Sequence, residues 1–77
     1  MSTQNELLAR LDEKYPKLSK GQRRLTDYIR QNYDKAAFLT AAKMGEAVGV
    51  SESTVVRFAT QLGYKGYPEF QKALGEM

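Results

Sequence analysis

Apolar side chains recur three and four residues apart along almost the whole chain, which is the spacing of an α-helix with one buried face. No stretch alternates apolar and polar residues for long enough to predict a strand. Pro16 ends the first helix, because the residue before a proline is driven out of the helical conformation. The stripe along this helix comprises Leu7, Leu8, Leu11 and Tyr15. The pattern therefore predicts an all-α domain.

A second helix is predicted to begin after Ser19. Ser19 and Gln22 have the spacing of a capping box, in which each side chain binds the backbone N–H of the other residue. Residues 34–39 are predicted to form a short turn or a single helical turn, with Phe38 and Leu39 packed into the core. The inward-facing residues of the second helix are expected to be Leu25, Tyr28, Ile29 and either Asn32 or Tyr33.

Two short helices are predicted next, with a tight turn between them. Thr40 is expected to cap a helix over residues 41–48, and Ser51 to cap a helix that runs to about residue 62. Gly49 lies between them and tolerates the backbone angles of a tight turn. The inner face of the first of these helices is expected to contain Met44, Ala47 and Val48. Two short helices joined by such a turn form the helix-turn-helix unit that enters the major groove of DNA.

Gly63 and Pro68 mark the boundaries that follow. Gly63 suits the left-handed residue that ends a helix, with Tyr64 packing back onto Ala59 or Phe58. Pro68 suits the first position of a last helix. The buried residues expected in this last helix are Phe70 and Leu74.

The spacing of small and apolar residues supports the helix-turn-helix prediction. Gly45 is small at the point where the two helices must cross closely. The side chains expected to fill the wedge between the helices are Met44, Val48, Val50, Val55 and Phe58. A generic helical hairpin needs only one or two of these features, whereas all of them occur here in register. A purely structural corner between two helices is the alternative.

The second helix of the unit, residues 52–62, has a polar outward face. At about 100° per residue, the apolar positions Val55, Phe58, Ala59 and Leu62 share one side and are expected to be core. The candidates for reading DNA bases are Ser53, Thr54, Val56, Arg57, Thr60 and Gln61. Arg57 is the best candidate for a bidentate contact to guanine, with a phosphate contact or a solvated arginine as the alternative.

Lys43, Ser51 and Lys65 are the candidates for contacts to DNA phosphates. Ser51 lies at a helix N-terminus, where backbone amides favour an anion, and it is expected to cap that helix as well. Glu52 in the first helical turn is interpreted as a residue that complements the helix dipole, with acceptance from cytosine as the alternative.

The charge distribution adds a basic surface to this picture. The net charge is +3, but residues 14–35 contain seven basic and two acidic side chains. A concentrated positive charge suits a polyanion such as nucleic acid, although a solvated helix face is an equally good interpretation. This basic segment lies outside the helix-turn-helix, and we leave open whether it contacts flanking DNA.

The composition argues against several other classes of protein. The chain has no histidine and no cysteine, so the usual general base, thiol nucleophile and zinc ligands are missing, and neither an enzyme, a metal nor a cofactor is expected. The apolar runs are too short to cross a bilayer, so no membrane partner is expected and the cytoplasm is the expected location. The hydrophobic fraction of 42% is ordinary for a folded domain.

Three segments resemble the N-terminal domain of the RpiR family of bacterial transcription regulators: residues 18–29 (LSKGQRRLTDYI), 50–58 (VSESTVVRF) and 62–67 (LGYKGY), with Phe70. The resemblance covers nearly the whole chain. It implies a compact domain of five or six helices that binds double-stranded operator DNA as a dimer. Gly45 departs from the alanine that is common in the family, which is expected to loosen the first helix of the unit.

The resemblance also implies features beyond these 77 residues. Members of the family usually continue into a sugar isomerase-type domain that binds a phosphosugar effector. We therefore expect residues 1–77 to be a single DNA-binding domain at the N-terminus of a longer, homodimeric regulator. The rival interpretation is a helical protein-interaction or dimerisation module that docks through the stripe formed by Leu7, Leu8 and Leu11.

Overall fold

The computed structural model describes residues 3–76, with side chains from Glu6 onward; Met1, Ser2 and Met77 of the expected single domain lie outside this range. Within the described range the chain forms five α-helices, which confirms the all-α class. These are α1 (Thr3–Lys14), α2 (Lys20–Ala36), α3 (Ala41–Val48), α4 (Glu52–Gln61) and α5 (Tyr67–Gly75). A 3₁₀ turn, Tyr15–Lys17, follows α1 and contains Pro16, as expected where a proline stops a helix.

The apolar stripe of α1 lies inside the domain. Leu7 and Leu11 have no exposed surface, Leu8 is half-buried, and α1 packs against α5. The predicted stripe is therefore confirmed, but the alternative interpretation of it as a docking surface for a partner protein or a second copy is wrong. Leu7 and Leu11 are buried inside the domain itself and cannot contact a partner or a second copy.

Helix α2 is the central element, since it packs against α3, α4 and α5. Its predicted capping box is confirmed: the Ser19 backbone N–H donates to Gln22 Oε1 at 3.1 Å, and the Gln22 backbone N–H donates to Ser19 Oγ at 3.3 Å. Leu25 and Ile29 are fully buried along its inner face, as predicted, and Tyr28 is half-buried. These contacts fix the frame on which the shorter helices are held.

The end of α2 differs from the prediction. The helix continues to Ala36 through a kink at Asn32, whose φ of −140° is not helical, so residues 34–36 are not the separate turn that was expected. At this kink the Asn32 side-chain amide donates to the Tyr28 carbonyl, one turn earlier, at 3.3 Å. Asn32 is half-buried and Tyr33 is exposed, so Asn32 is the inward-facing member of that pair.

The prediction that Phe38 packs into the core is wrong, since 87% of its surface is exposed, whereas Leu39 is half-buried. Ala36 takes the buried position at the end of α2. Hydrogen bonds to α5, and not a buried Phe38 ring, hold this segment in place. The Tyr67 hydroxyl and the Gln71 amide both donate to the Leu39 carbonyl. The backbone of this connection is thereby fixed while the Phe38 ring points into solvent.

Helix α5 closes the core beneath α4. Phe70 is fully buried and meets the Phe58 ring edge-on, with the ring centroids 5.8 Å apart, and Leu74 is also buried, as predicted. The helix begins at Tyr67, so Pro68 occupies its second position, where a missing N–H is equally harmless. The Phe70 ring of α5 thus forms an aromatic platform under the Phe58 ring of α4, and the opposite face of α4 is exposed.

Candidate nucleic-acid interface

Helices α3 and α4 form the predicted helix-turn-helix, and two glycines set its geometry. Gly49 has a φ of +88°, and its N–H and that of Val50 both donate to the Gly45 carbonyl, at 2.7 and 2.9 Å. A Cβ atom at Gly45 would lie only 2.6 Å from the Val50 carbonyl oxygen. The tight turn and the close crossing both follow from these positions, as the sequence predicted.

The wedge between the helices is filled by the predicted side chains. Met44, Val55 and Phe58 have no exposed surface, and Val48 and Val50 are half-buried against them. Ala47, in contrast, is exposed, so its assignment to the inner face was wrong. The buried face of α3 centres between Met44 and Gly45, and at about 100° per residue Ala47 lies more than a quarter turn from that centre.

Both ends of α4 are closed as the sequence predicted. At the start, Ser51 Oγ accepts from the Thr54 backbone N–H at 3.1 Å. At the end, Gly63 has a φ of +97° and donates to the Thr60 carbonyl at 3.0 Å. The Tyr64 N–H donates to the Ala59 carbonyl at 3.2 Å, which completes a Schellman motif. The Tyr64 ring packs on Phe70, with the centroids 5.6 Å apart, so helix and platform are joined at this end too.

The outward face of α4 carries five of the six candidate base-reading residues. Ser53, Val56, Arg57, Thr60 and Gln61 are all exposed, whereas Val55, Phe58 and Ala59 on the other side are buried. Within residues 6–76, no hydrogen bond or ion pair holds the Arg57 guanidinium. The long Arg57 side chain is therefore available to a ligand on this face.

Two of the candidate hydroxyls already have intramolecular partners. Thr60 Oγ1 donates to the Arg57 carbonyl at 2.9 Å, so toward a further partner this hydroxyl can only accept. The sixth candidate, Thr54, is half-buried, and its hydroxyl lies 2.9 Å from Ser51 Oγ in the cap. The hydroxyls of both threonines are thus less available than that of Ser53 to donate a hydrogen bond to a ligand.

The three candidate phosphate residues surround this face from different elements. Lys43 in α3 is exposed and pairs with Glu46, with Nζ and Oε2 3.5 Å apart. Lys65 is exposed on the turn after α4, where its backbone N–H donates to the Glu69 carboxylate. Ser51 is exposed at the start of α4, although its side chain is engaged in the cap. Each keeps access to solvent.

Arg10 supports α4 in a way that the sequence did not reveal. Its guanidinium donates to the Leu62 carbonyl at 3.1 Å and lies over the Tyr64 ring, 4.7 Å from the centroid. Arg10 also pairs with Glu6, one turn earlier on α1, with the two charged atoms 2.7 Å apart. The Leu62 carbonyl is one of the last carbonyls of a helix and needs a donor, but a donor from 52 residues away leaves no local signal.

Two tyrosines near this site have perturbed acidities. Burial raises the pKa of Tyr67 to about 12. Burial also raises the pKa of Tyr64, and the nearby Arg10 charge opposes this rise. Both hydroxyls therefore keep their protons near pH 7 and add no negative charge beside α4.

Within residues 3–76, no helix is long and apolar enough to cross a bilayer.

A family model described as a helix-turn-helix domain of the rpiR family matches residues 5–77. Relatives include the HTH-type transcriptional regulators YfhH of Escherichia coli K12, 39% identical over 90% of this chain, and HexR of Pseudomonas aeruginosa, 34% identical over 91%. A further HTH-type regulator, from Clostridium perfringens, is 27% identical over 91% of the chain. No solved structure matches the chain significantly.

The chain spans about a quarter of the length of these relatives, 24% of YfhH and 25% of each of the other two. Their names describe HTH-type transcriptional regulators, a class of protein distinct from enzymes. The match to the family model covers both helices of the α3–α4 unit and the α5 platform. This chain therefore belongs to the rpiR family of helix-turn-helix domains.

Proposed function

We propose that this domain binds double-stranded operator DNA with sequence preference, and that α4, about residues 52–62, is the recognition helix that enters the major groove. The observation that carries the proposal is the division of α4 into a buried apolar face and an open face of mostly short polar side chains. Such a face admits the helix close to base edges, and a glycine-turned helix-turn-helix is the unit that presents a helix to DNA in this way.

The chemistry of the open face assigns different roles to its side chains. Arg57 is suited to a bidentate contact with the O6 and N7 atoms of guanine, and Gln61 to the equivalent contact with adenine. Val56, which keeps 38% of its surface exposed, offers an apolar contact for a thymine methyl group. Ser53, Thr54 and Thr60 add short hydroxyl side chains that bring the helix backbone closer to the bases.

Lys43, Ser51 and Lys65 fit contacts to the phosphates on either side of the groove. The Lys43–Glu46 ion pair is exposed at both ends, and exposed pairs contribute only about 0–1 kcal/mol, so a phosphate can replace the carboxylate at little cost. These contacts would set the position of the domain along the duplex, whereas the α4 side chains would select the sequence.

The proposal extends to a longer protein that contains this domain. Since the relatives are about four times as long as this chain, we propose that residues 1–77 form one domain of a longer regulator. The family resemblance implies that this domain is the N-terminal one. Two copies, joined through the rest of that protein, would place two α4 helices about 34 Å apart on the operator. A phosphosugar bound to a sugar isomerase-type domain would then control the regulator, as the family resemblance implies.

Fluorescence anisotropy of a labelled duplex tests the DNA-binding proposal. We expect log K to fall with log salt between about 50 and 200 mM, with a slope of ~−0.9 for each phosphate neutralised. Ser53→Glu should weaken binding by at least about tenfold, because it sets a carboxylate against the groove. Gln31→Glu is the matched control, since it adds the same charge at an exposed position of α2.

Two results would contradict the proposal. One is equal affinity of the Ser53→Glu and Gln31→Glu variants for the duplex, since α4 would then not face the DNA. The other is no binding at the lowest salt concentration, even by two copies of the domain joined through a flexible linker.

A further inference from the structure

The basic segment of residues 14–35 divides into two groups with different surroundings. The Arg23 and Arg30 guanidinium groups each lie 5.4 Å from the centroid of the Tyr15 ring. Arg23 also donates to the carbonyls of Tyr15 and Pro16, at 3.3 and 3.1 Å, and Arg30 pairs with Asp12. These two arginines hold the junction between α1 and α2, so their charge is committed within the domain.

Lys20 and Arg24 form the second group, one turn apart on α2. Both are exposed, and no hydrogen bond or ion pair within the described side chains holds either charge. On a helix of 3.6 residues per turn, Lys20 and Arg24 lie on one side of Gly21, about 100° and 60° from it, while Arg23 lies about 160° away. The Lys20, Arg24 pair is thus centred about a quarter turn from Arg23 and Arg30, on the side nearer to Gly21.

Gly21 shows what this side of α2 faces. A Cβ atom there would lie 3.1 Å from Val50 Cγ1 and 3.9 Å from Thr54 Cγ2. Val50 belongs to the turn of the helix-turn-helix and Thr54 to the first turn of α4. The start of α2 therefore packs directly beside the start of the proposed recognition helix, and Lys20 and Arg24 border that contact.

We propose that Lys20 and Arg24 bind phosphates of the DNA strand that flanks the site read by α4. This inference rests on the proposed function, because it needs α4 to lie in the groove. A polyanion is the partner that two adjacent cations without counter-charges recognise, and the duplex next to α4 supplies one. The contacts extend the footprint of the domain to one side and carry no sequence information themselves.

The salt dependence of binding tests the inference. The double variant Lys20→Gln, Arg24→Gln should bind a duplex with a slope of log K against log salt that is shallower by ~1.8, which corresponds to two phosphates at ~0.9 each. The single variant Lys20→Gln should show half of that change. The preference for a selected site over a scrambled duplex should be unchanged, because the lost contacts are to the backbone.

Lys35→Gln, Lys72→Gln is the matched control, because it removes two exposed charges from the end of α2 and from α5. Lys35 lies fifteen residues beyond Lys20 on the same helix, roughly 22 Å at 1.5 Å per residue. This control should keep the wild-type slope. Urea unfolding should give the same midpoint for all variants, since each altered side chain is exposed and without an intramolecular partner.

The outcomes separate this inference from the proposed function. If the wild type binds DNA, Ser53→Glu weakens it, and the Lys20, Arg24 variants keep the wild-type slope, then only the inference is overturned. If the control variant Lys35→Gln, Lys72→Gln makes the slope shallower by the same amount, the effect comes from net charge alone, and the inference is again overturned. If neither the wild type nor two linked copies of it bind DNA, the inference and the proposed function fall together.

Discussion

Gly45 occupies the closest approach between α3 and the turn that follows it. The Val50 carbonyl oxygen lies where a side chain on Gly45 would begin, and the Gly45 carbonyl accepts from both Gly49 and Val50. Glycine usually weakens a helix by about 1 kcal/mol relative to alanine, which motivated the expectation of a looser α3. The packed crossing reverses this preference at Gly45, because an alanine methyl group has no space there.

Gly45→Ala should therefore destabilise the domain by about 1–3 kcal/mol, since the overpacking outweighs the gain in helix propensity. Urea denaturation followed by circular dichroism measures this difference. Gly75→Ala is the matched control, because Gly75 is also helical and a Cβ there would meet nothing within 4 Å. A Gly45→Ala variant as stable as the Gly75→Ala variant would show that the crossing is not tight.

Tyr67 links stability to alkaline pH. Its folded-state pKa of about 12 lies above the ordinary value of 10.0, so between these pH values the unfolded chain releases a proton that the folded chain retains. The contribution of Tyr67 to the free energy of unfolding should thus be constant well below pH 10 and fall as the pH rises toward 12. Tyr64, whose pKa is also raised, should add to the fall in the same direction.

Tyr67→Phe should remove most of this alkaline fall, because phenylalanine has no proton to lose. The variant should also be less stable by about 1 kcal/mol at neutral pH, since the hydrogen bond to the Leu39 carbonyl is lost. Urea unfolding at a series of pH values from 8 upward measures both effects. An alkaline fall as steep in the variant as in the wild type would assign the titration to other groups.

At the scale of elements, the helix ends that the sequence predicted well are those with local caps. Ser19, Thr40 and Ser51 each accept from the backbone N–H three residues later, and Gly49 and Gly63 take the left-handed conformation. These signals act between neighbours in the sequence, so they can be read without knowing the fold. The extension of α2 through Asn32 could not be read in this way, because a polar residue with a local side-chain bond also fits a turn.

Ser51 is predicted to have two roles that one substitution separates. Aspartate is as good a helix cap as serine, so Ser51→Asp should leave the free energy of unfolding within about 0.5 kcal/mol of the wild type. The added charge should nevertheless weaken DNA binding, because it opposes the phosphate that Ser51 is proposed to contact. Thermal unfolding and anisotropy with the same protein sample measure the two effects.

Ser51→Asn is the control for this prediction, since asparagine keeps the cap without adding a charge. It should bind DNA more tightly than Ser51→Asp does. Equal binding by the aspartate and asparagine variants would argue that no phosphate approaches the start of α4.

At the scale of the whole molecule, the candidate site could be predicted from the sequence because the residues that form it are contiguous in the chain. Residues 40–63 contain both helices, their caps and the turn, so the buried and open faces of α4 follow from periodicity alone. The supports of α4 come from remote parts of the chain. Arg10 reaches Leu62, and Gly21 meets Val50 and Thr54, through tertiary packing that no local pattern encodes.

The same limit explains the misplaced side chains. Phe38 was assigned to the core because it is large and apolar, yet the smaller Ala36 is the buried residue at this end of α2 and 87% of the Phe38 surface is exposed. The stripe of α1 was correctly identified as a packing face, but its partner could be another protein, a second copy or the domain itself. Only the fold selects among these, and it places Leu7 and Leu11 in the domain's own core.

The most direct test of the central claim compares the affinity for a selected duplex with that for a scrambled one, in the wild type and in Arg57→Ala. Arg57 is exposed on α4 and its guanidinium has no partner among the described residues, so the fold should be retained. We predict that Arg57→Ala loses about 1–3 kcal/mol of discrimination between the duplexes. Lys65→Ala, which removes the same charge, should weaken binding to both equally. Discrimination in Arg57→Ala equal to that of the wild type would contradict the assignment of α4 as the reading helix.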